Sequence, residues 1–508
     1  MNLKLAYVLV KNKKRVINFL IICIIFCTYL MGRLIYIQVI KSSHYTQMAY
    51  EQQTREREVE AARGTIYDST GSKVLAQSIS TSKVTLFPNI IKNKEEVGKK
   101  LAEILEFELD KIMNKLNKNS SNEILTNDLD DEKTKLLLKY ISDFEIEGIK
   151  VDEAITRIYP YDSLLAQTLG FVGTDNQGLE GIEAMYDEEL SGVSGKIVGS
   201  TDVRGRETPF TSEQYVQPQN GKDLILTIDA TIQSITEKHL EKSLLENKGQ
   251  YATAIVMRPS TGEVLAMATA PTFNLNEPFT PNTAELKNTW DNLDSTSKSK
   301  ELSGMWRNRV ISDTQEPGST FKIVTASAIL EEGITTIDQP GRFVCNGVMN
   351  VGGWDIHCWR HPRTHGSESL RDGIMNSCNP VFIQGSREVG IQNYIKYLEA
   401  FNLYTKTGID LPGEALGIMH PKDTMDEVAL ATTSFGQTIQ ISTIQTAVNY
   451  SAIANGGYIV TPYVVKEIKD ETGFYEKTSS KIQKQILSKE TANSVLSALE
   501  TTVAIGTR

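Results

Sequence analysis

The sequence is short of cysteine and has no surplus of positive charge, and each shortage excludes a class of protein. Five cysteines in 508 residues are too few for a disulfide scaffold. A net charge of -10 at pH 7 gives no indication of a nucleic-acid partner. A hydrophobic fraction of 40% and a charged fraction of 23% exclude wholesale disorder. Since the chain is too long for one ordinary domain, we expect two or three.

One long apolar run is present, and it lies near the N-terminus. Residues 16–37 are apolar apart from two polar side chains and one arginine, and a cluster of basic residues precedes them. This length is about the 20 residues that a membrane helix requires, and the basic cluster favours an inside N-terminus. We predict a cytoplasmic tail at 1–15, a single transmembrane anchor at 16–38 and an extracytoplasmic remainder. The alternative is a cleaved signal peptide, but no small-x-small cleavage site follows the run.

The best candidate for a reactive group is a serine at the start of an apolar, helix-compatible segment. Ser319 follows a Glu-Pro-Gly turn, and Lys322 lies three residues later. Side chains at this spacing share one face of a helix. The positive end of the helix dipole favours a developing alkoxide, and a partly buried lysine loses its proton readily enough to act as a base. The two residues therefore predict a nucleophile with its base.

A second motif follows 58 residues later, at Ser377-Cys378-Asn379. By itself this tripeptide is typical of a helix cap or turn. The pairing of Ser-x-x-Lys with a downstream Ser-x-Asn is typical of penicillin-binding proteins and β-lactamases. A helical subdomain would place Ser319 and Ser377 on one cleft.

With these motifs the sequence resembles the class B penicillin-binding proteins, which are monofunctional D,D-transpeptidases. The resemblance spans nearly the whole chain. It also rests on the following segments: Arg63-Gly64, Arg157-Ile158-Tyr159-Pro160, Gly178-Leu179-Glu180, Gly408-Ile409-Asp410-Leu411-Pro412-Gly413-Glu414 and Ser434-Phe435-Gly436-Gln437. Cys358-Trp359 and the cysteine within the Ser-x-Asn motif resemble the sporulation-specific branch of the family.

The resemblance implies a multi-domain α/β protein behind the membrane anchor. Residues 39–220 would form an elongated α+β pedestal of the dimerisation type, with surface helices between residues 92 and 147. Residues 221–508 would form the serine-acyltransferase domain, which is penicillin-binding and β-lactamase-like. Within that domain we predict a long loop from residue 271 to about residue 309.

The resemblance also implies a mechanism and partners. Ser319 would attack the D-Ala-D-Ala carbonyl of a peptidoglycan stem peptide, and Lys322 would take its proton. Ser377 would relay a proton to the leaving nitrogen, and Asn379 would hydrogen-bond the substrate amide. Acyl transfer would need no cofactor. Expected partners are stem peptides, β-lactams, the membrane and a multi-spanning cell-wall glycosyltransferase.

The family's third motif, Lys-Ser/Thr-Gly on a strand beside the cleft, is expected beyond the given C-terminus. Lys406-Thr407-Gly408 matches its letters but precedes Ser434-Phe435-Gly436-Gln437 and opens another family loop. We therefore interpret the sequence as truncated, and expect the 508-residue form to acylate slowly or not at all.

Three other functions compete with this interpretation. A β-lactamase would share the acylation chemistry, but the anchor and the large domain before residue 221 argue against it. A bifunctional synthase is discounted because residues 41–220 lack an acidic glycosyltransferase signature. A catalytically incomplete scaffold that binds a cell-wall glycosyltransferase is the alternative that the missing motif favours.

Three of the five cysteines cluster within residues 345–378, together with three of the six histidines. Cys358 and Cys378 could be free thiols, a disulfide, or ligands of a structural zinc ion. For zinc, the predicted ligands are Asp355, Cys358, His365 and Cys378. We interpret Cys345 as a buried free thiol. Zinc and disulfide both require the sulfurs of Cys358 and Cys378 to be close.

Overall fold

The computed structural model describes residues 3–45, 48, 54–200, 214–478 and 482–505. Its backbone contacts separate two compact units. One unit comprises Met1–Glu60 and Ser194–Gln219, and the other comprises Ala61–Val193 and Asn220–Arg508. The predicted boundary at residue 220 stays a prediction, since residues 61–193 pack together with the chain that follows this boundary.

The described residues form helices and strands throughout both units. The α-helices are α1 Leu3–Ile35, α2 Lys94–Leu105, α3 Leu109–Leu116, α4 Asp131–Asp143, α5 Ala166–Leu169, α6 Gly181–Met185, α7 Asp187–Ser191, α8 Ala230–Asn247, α9 Ala284–Thr289, α10 Ser295–Trp306, α11 Arg309–Ser312, α12 Lys322–Glu331, α13 Leu370–Met375, α14 Asn379–Val389, α15 Ile391–Ala400, α16 Glu427–Ser434, α17 Thr443–Ala454 and α18 Lys489–Ile505. The strands are β1 Thr54–Val59, β2 Ile66–Tyr67, β3 Val74–Leu86, β4 Glu123–Leu129, β5 Ile149–Ile158, β6 Gly195–Ser200, β7 Gln214–Val216, β8 Asp223–Leu226, β9 Ala252–Met257, β10 Val264–Ala270, β11 Thr314–Gln315, β12 Phe343–Cys345, β13 Val348–Val351, β14 Trp354–His357, β15 Gly366–Glu368, β16 Ile441–Ser442, β17 Tyr458–Val460, β18 Val465–Lys469, β19 Tyr475–Lys477 and β20 Ile482–Gln485.

The first unit contains the apolar helix and a small sheet. Helix α1 continues into a π-helical turn, Tyr36–Ile40. Val16–Ile40 has a mean hydropathy of 2.2 and is the one candidate membrane span among the described residues. Strands β1, β6 and β7 pair antiparallel in that order. The sequence of residues 41–62 also predicts a polar helix leading into a strand, and this segment falls partly outside the described residues.

A seven-stranded sheet runs through the second unit. Its order is β19-β18-β8-β2-β3-β4, and β5 also pairs with β3. The 13-residue strand β3 is long enough to pair with β2 at one end and with β4 and β5 at the other. Strands β2 and β3 form a hairpin, and its turn is closed by a hydrogen bond from Gly71 N to Asp68 O at 2.9 Å. The predicted helices between residues 92 and 147 are confirmed as α2, α3 and α4.

Buried ion pairs hold the start of this sheet to the neighbouring helices. Arg63 Nε donates to Glu183 Oε2 at 2.6 Å, and Arg157 Nε donates to Glu183 Oε1 at 2.8 Å. All three side chains are fully buried. Arg63 also reaches Asp187 at 2.6 Å. Each oxygen of the Glu183 carboxylate accepts from one of the two arginines. This pairing compensates charges that would be costly to bury alone.

The largest apolar core surrounds α12. Eight of its ten residues are buried, Lys322–Ile329, as expected for a helix that is apolar on every side. It packs against α14, α15, α13 and α18. This helix begins at Lys322, so the candidate base sits on a helix that is buried on every side.

The predicted loop from residue 271 to about 309 is wrong, because α9 and α10 lie within it and α11 begins at its end. Each of these helices has a side-chain N-cap: Thr283 accepts from Leu286 N, Asp294 from Ser297 N, and Asn308 from Val310 N. Such caps stabilise short helices whose sequence has little apolar periodicity.

Candidate active site

Ser319 lies in a 3₁₀ turn, Gly318–Phe321, that runs directly into α12. The helix therefore begins near the serine, as the sequence predicts. Gly318 has φ of +55° and its N–H donates to Gly436 O at 2.9 Å. The turn before the serine is thus held by the segment that follows α16. Because the turn is tight, the Ser319 side chain is directed toward Lys322 and Ser377.

The amine of Lys322 lies among four oxygen atoms. Its Nζ is 2.8 Å from Ser377 O, 2.8 Å from Asn379 Oδ1, 2.9 Å from Ser377 Oγ and 3.3 Å from Ser319 Oγ. The two serine hydroxyls are 2.7 Å apart. The structure therefore brings together all four residues, Ser319, Lys322, Ser377 and Asn379, that the sequence selected.

Burial lowers the pKa of Lys322 to about 8, although nearby Cys378, Cys358 and Glu368 act in the opposite direction. The residue is only 3% exposed, and the Phe382 ring lies 5.3 Å from its Nζ. Desolvation disfavours the ammonium form, so about a tenth of the amine is neutral at pH 7. A neutral amine is what a proton acceptor requires.

The hydrogen-bond count around Lys322 restricts how a neutral amine can be oriented. Ser377 O and Asn379 Oδ1 can only accept hydrogen bonds, whereas each hydroxyl can accept or donate. A neutral amine has two N–H groups and one lone pair. If its two hydrogens go to the obligate acceptors, the lone pair faces the hydroxyls. The nearer of these is Ser377 Oγ, which is also within hydrogen-bond distance of Ser319.

Ser377 and Asn379 sit at the junction between α13 and α14. Ser377 has φ of +49°, an unusual conformation for a residue with a Cβ atom. Cys378 is the N-cap residue of α14 and Asn379 is its first residue. Ser377 N donates to Ile374 O at 3.1 Å, and Cys378 N donates to Gly373 O at 2.9 Å. This strained turn aims Ser377 at Lys322.

A second group of reactive side chains lies beside this turn. The ligand-type atoms of Cys345, Cys358, His365 and Cys378 all lie within 4.8 Å of one another. His365 Nδ1 is 3.6 Å from Cys345 Sγ and 3.5 Å from Cys358 Sγ. The three cysteines are buried. Burial raises the pKa of Cys358 and of Cys378 and lowers that of His365, since each charged form is desolvated.

Two of the expectations for this region need correction. Asp355 is not in the group: it lies on the exposed strand β14, where Asn350 Nδ2 donates to its carboxylate at 2.7 Å. Cys345 takes its place, because β12 pairs with β15 and sets Cys345 opposite Gly366, next to His365. Cys358 and Cys378 are close, but none of the three buried cysteines forms a disulfide. The structure therefore does not adopt the disulfide alternative.

The segment carrying Cys358 contacts both sides of the Ser-x-Asn turn. Trp359 Nε1 donates to Asn376 O at 2.8 Å, and Asn379 Nδ2 donates to His357 O at 3.4 Å. Asn376 Nδ2 also donates to Glu368 Oε1 at 2.7 Å. Trp359 and Glu368 were not selected from the sequence. The one sequence signal for this pair of residues is the position of Trp359 next to Cys358.

Lys406-Thr407-Gly408 forms part of a structural loop. The N–H and hydroxyl of Thr407 both donate to Glu414 Oε1 at 2.6 Å, and Thr407 is buried. Asp410, in the same loop, accepts from the N–H groups of Val464 and Val465 at 2.7 and 2.8 Å. These bonds fasten the loop to the start of β18.

Comparison with known proteins gives concordant matches along the chain. A family model described as the penicillin binding protein transpeptidase domain matches residues 252–507, and one described as the penicillin-binding protein dimerisation domain matches residues 58–226. The chain is 33% identical over 500 residues to stage V sporulation protein D of Bacillus subtilis strain 168, which covers 97% of this chain and 73% of that protein. It is 26% identical over 436 residues to the peptidoglycan D,D-transpeptidase FtsI of Escherichia coli K12, with 84% and 68% covered.

Solved structures share the same fold. A peptidoglycan synthetase from Bifidobacterium adolescentis aligns with a TM-score of 0.65 at 25% identity, over 89% of this chain and 82% of that one. Penicillin binding protein 2X from Streptococcus thermophilus aligns with a TM-score of 0.66 at 22% identity, over 87% and 66%.

Proposed function

This chain belongs to the class B penicillin-binding proteins, and we propose that Ser319 is the residue through which it cross-links peptidoglycan stem peptides. Proteins of this family are D,D-transpeptidases of cell-wall or spore-cortex synthesis, and β-lactams bind to them. The observation that carries the assignment is the placement of Ser319 Oγ within 3.3 Å of the buried Lys322 amine and 2.7 Å from Ser377 Oγ.

The proposed acylation begins with neutral Lys322. Ser319 Oγ attacks the carbonyl carbon of the penultimate D-Ala, and its proton passes to the Lys322 amine, directly or through the Ser377 hydroxyl. The carbonyl bond electrons move to oxygen and form a tetrahedral intermediate. When this collapses, the C–N bond breaks, and Ser377 passes a proton to the departing D-Ala nitrogen and recovers one from the Lys322 ammonium. The product is an ester between Ser319 and the stem peptide.

The second half of the reaction reverses these roles. An amine of a neighbouring stem peptide attacks the ester carbonyl and loses a proton to the Lys322–Ser377 pair. The Ser319 oxygen leaves and recovers its proton, and the new amide is the cross-link. Asn379 holds the lysine through its Oδ1, so we propose that it orients the base as well as contacting the substrate amide. The family carries out this acyl transfer without a cofactor.

Labelling with a fluorescent penicillin tests the assignment of Ser319. After prolonged incubation, we expect one covalent adduct per chain by intact-mass spectrometry, and none in Ser319→Ala. Ser303→Ala is a matched control, because Ser303 is an exposed serine on α10. An adduct that persists in Ser319→Ala would overturn the assignment.

We further propose that the protein is anchored in the cell membrane with its N-terminus in the cytoplasm and its penicillin-binding domain outside. Support comes from the apolar span Val16–Ile40 and the basic residues that precede it in the sequence. A multi-spanning cell-wall glycosyltransferase is the proposed partner, on family resemblance. Protease added to intact protoplasts should digest the folded domain, and full protection would contradict the orientation.

We also propose that Cys345, Cys358, His365 and Cys378 hold a structural zinc ion. Three thiolates and one imidazole are a common zinc-ligand set, and a closed four-ligand site serves structure. Tetrahedral bonds of about 2.3 Å to sulfur and 2.1 Å to nitrogen place these atoms about 3.6 Å apart. The two measured sulfur–nitrogen distances are 3.6 and 3.5 Å. Metal analysis of protein purified under reducing conditions should find one zinc per chain, lost in Cys358→Ser.

A further inference from the structure

We propose that a cavity beside the β9–β10 hairpin binds a neutral sugar residue of the glycan strand to which the stem peptides are attached. The choice of this polymer as the ligand rests on the proposed transpeptidase function. The cavity has a volume of about 400 Å³, within the range of about 300–1,000 Å³ that is usual for small-ligand sites. Its lining comes mainly from β10, the residues that flank the hairpin, and helices α9, α10 and α11. Among the described contacts, no lining residue bonds to the four candidate active-site residues.

Thr269 gives the first indication of a ligand, because its hydroxyl is buried without a partner. This residue lies on β10, lines the cavity and is 6% exposed. Its Oγ1 forms no hydrogen bond with any described residue. Buried polar atoms are nearly always hydrogen-bonded in folded proteins, and one that is not destabilises the fold. A hydroxyl group of a ligand in the cavity would supply the missing bond.

Gly304 gives a second and independent indication. It lies within α10 and lines the cavity, although glycine destabilises a helix relative to alanine. A Cβ atom added at this position would have no other atom within 4 Å, so the packing of the protein does not require glycine here. The missing side chain instead leaves one wall of the cavity open. Such a wall is expected where a ligand approaches the backbone closely.

Two further lining residues are held in place and leave a recognition group free. Asn282 Nδ2 donates to Thr272 O at 2.9 Å. Because a carbonyl can only accept, the other amide atom of Asn282, Oδ1, remains available as an acceptor. The Tyr251 ring is 47% exposed, and the Arg309 guanidinium lies 4.6 Å from its centroid. Arg309 also donates to Asp313 Oδ2 at 2.7 Å, so the arginine that stacks on this ring is fixed from its other end.

The charges of the lining favour a neutral ligand. Glu285 and Glu301 line the cavity and form no ion pair within the described chain, whereas the charge of Arg309 is already paired. The lining is therefore negative, which disfavours the carboxylates of a stem peptide. The aromatic ring already carries a cation, which disfavours a ligand ammonium group. A sugar ring is neutral, and it offers hydroxyl groups to the free polar atoms and an apolar C–H face to the aromatic ring.

The competing explanation is a cavity filled with water, in which solvent satisfies the Thr269 hydroxyl. Such a cavity would bind no sugar, and substitutions in its lining would change stability alone. The two explanations therefore differ in the direct binding of a glycan that carries no stem peptide. This measurement does not depend on acylation of Ser319.

The experiment uses the full-length protein and the tetramer of β-1,4-linked N-acetylglucosamine, which is a neutral glycan without a peptide. Isothermal titration calorimetry and saturation-transfer NMR should detect its binding to the parent protein. Thr269→Val removes the hydroxyl and keeps the shape of the side chain, and should weaken binding by about 3- to 10-fold. Tyr251→Ala removes the aromatic face and should weaken binding by about tenfold or more.

Substitution of Gly304 makes the test independent of misfolding. Gly304→Ala should raise the melting temperature, because alanine favours the helix and meets no neighbouring atom, and should weaken glycan binding. Gly304→Leu fills more of the cavity and should abolish binding. Ser303→Leu is the matched control, because Ser303 is an exposed residue of the same helix that does not line this cavity. It should bind the tetramer as the parent protein does.

Fluorescent penicillin labelling separates this site from the proposed nucleophile. Every variant should be labelled at the parent rate, since none of them alters the candidate active site. A parent protein that does not bind the tetramer, or equal binding by the parent and Gly304→Leu, would overturn the glycan site. Binding that Gly304→Leu abolishes, together with a penicillin adduct that persists in Ser319→Ala, would overturn the nucleophile assignment and support the glycan site.

Discussion

At the scale of single residues, the protonation state of Lys322 determines when the site reacts. Its pKa is lowered to about 8 by burial. Below that pH the amine is mostly ammonium and cannot accept a proton, so the reactive fraction falls about tenfold per pH unit. We expect the acylation rate constant to rise tenfold per unit from pH 6 to about 8 and then to level off.

Stopped-flow labelling with a fluorescent penicillin between pH 6 and 9.5 measures this profile. Zinc content and the far-ultraviolet circular dichroism should be followed at each pH, so that loss of metal or of fold is not mistaken for titration of the lysine. A rate that is constant between pH 6 and 8 would contradict Lys322 as the proton acceptor.

Ser377 offers a second prediction at this scale. Ser377→Ala removes the hydroxyl that lies 2.7 Å from Ser319 Oγ and 2.9 Å from Lys322 Nζ. Serine and alanine both carry a Cβ atom, so the backbone strain at position 377, where φ is +49°, is unchanged. We expect acylation to slow by about 10²- to 10⁴-fold, the usual contribution of a positioned proton-transfer group.

The melting temperature of Ser377→Ala should stay within about 2 °C of the parent protein, as is usual for a substitution that leaves packing unchanged. Ser377→Gly is an informative comparison, because glycine relieves the strain and also lacks the hydroxyl. A slow but more stable Ser377→Gly, beside a normally acylating Ser377→Ala, would show that backbone position and not proton transfer is what Ser377 supplies.

At the scale of elements, the turn before the nucleophile depends on close contact with the segment after α16. A Cβ atom at Gly436 would lie 2.2 Å from Gly318 O and 2.8 Å from Phe321 Cβ. Gly436→Ala must therefore displace the Ser319 turn. Since a displacement of about 1 Å can cost about 10²-fold in rate, we expect acylation to fall by that order.

Gly413→Ala is the matched control for this substitution. Gly413 has φ of +80° and Gly436 has φ of +78°, so both alanines carry a similar backbone strain of about 1–2 kcal/mol. Around Gly413, however, no atom lies within 4 Å of an added Cβ. Similar melting temperatures with slow acylation only in Gly436→Ala would support the contact, and equal acylation rates would contradict it.

The elements also show which parts of the site can be read from sequence. Ser319 and Lys322 follow from local helix geometry, because residues three apart share a helical face. The link to Ser377 and Asn379 came from a motif whose partners lie 58 residues apart in sequence. That motif was sufficient to select these residues, because their residue types at these positions in the sequence identify them without knowledge of the fold.

Cys345 could not be placed in this way. It joins Cys358 and His365 only because β12 pairs with β15, and the register of a three-residue strand is not specified by its own side chains. The prediction that Asp355 is a ligand was wrong for the same reason. Its pairing opposite Asn350 in the β13–β14 hairpin directs it away from the group. The helices between residues 284 and 312 were missed because their caps, and not an apolar period, define them.

At the scale of the whole molecule, one buried carboxylate joins distant parts of the second unit. Glu183 accepts from Arg63 just before β2 and from Arg157 at the end of β5, and it lies on α6. The three side chains are fully buried. The start of the sheet is therefore fixed to the helices beside it by an ion-pair network in which one buried carboxylate serves two buried arginines.

Glu183→Ala should destabilise the protein by about 3–5 kcal/mol, because it leaves two buried cations without their shared partner. Glu388→Ala is the control, since Glu388 pairs with Arg342 at a partly exposed position, where such a pair contributes about 0–1 kcal/mol. Denaturant unfolding measured by circular dichroism gives both free-energy changes. Fluorescent penicillin labelling below the transition should be retained in each variant, because Glu183 bonds to no residue of the candidate active site. A loss of stability in Glu183→Ala no larger than that in Glu388→Ala would contradict this assignment. Apolar packing, and not these ion pairs, would then be the main interaction that holds the sheet to the helices.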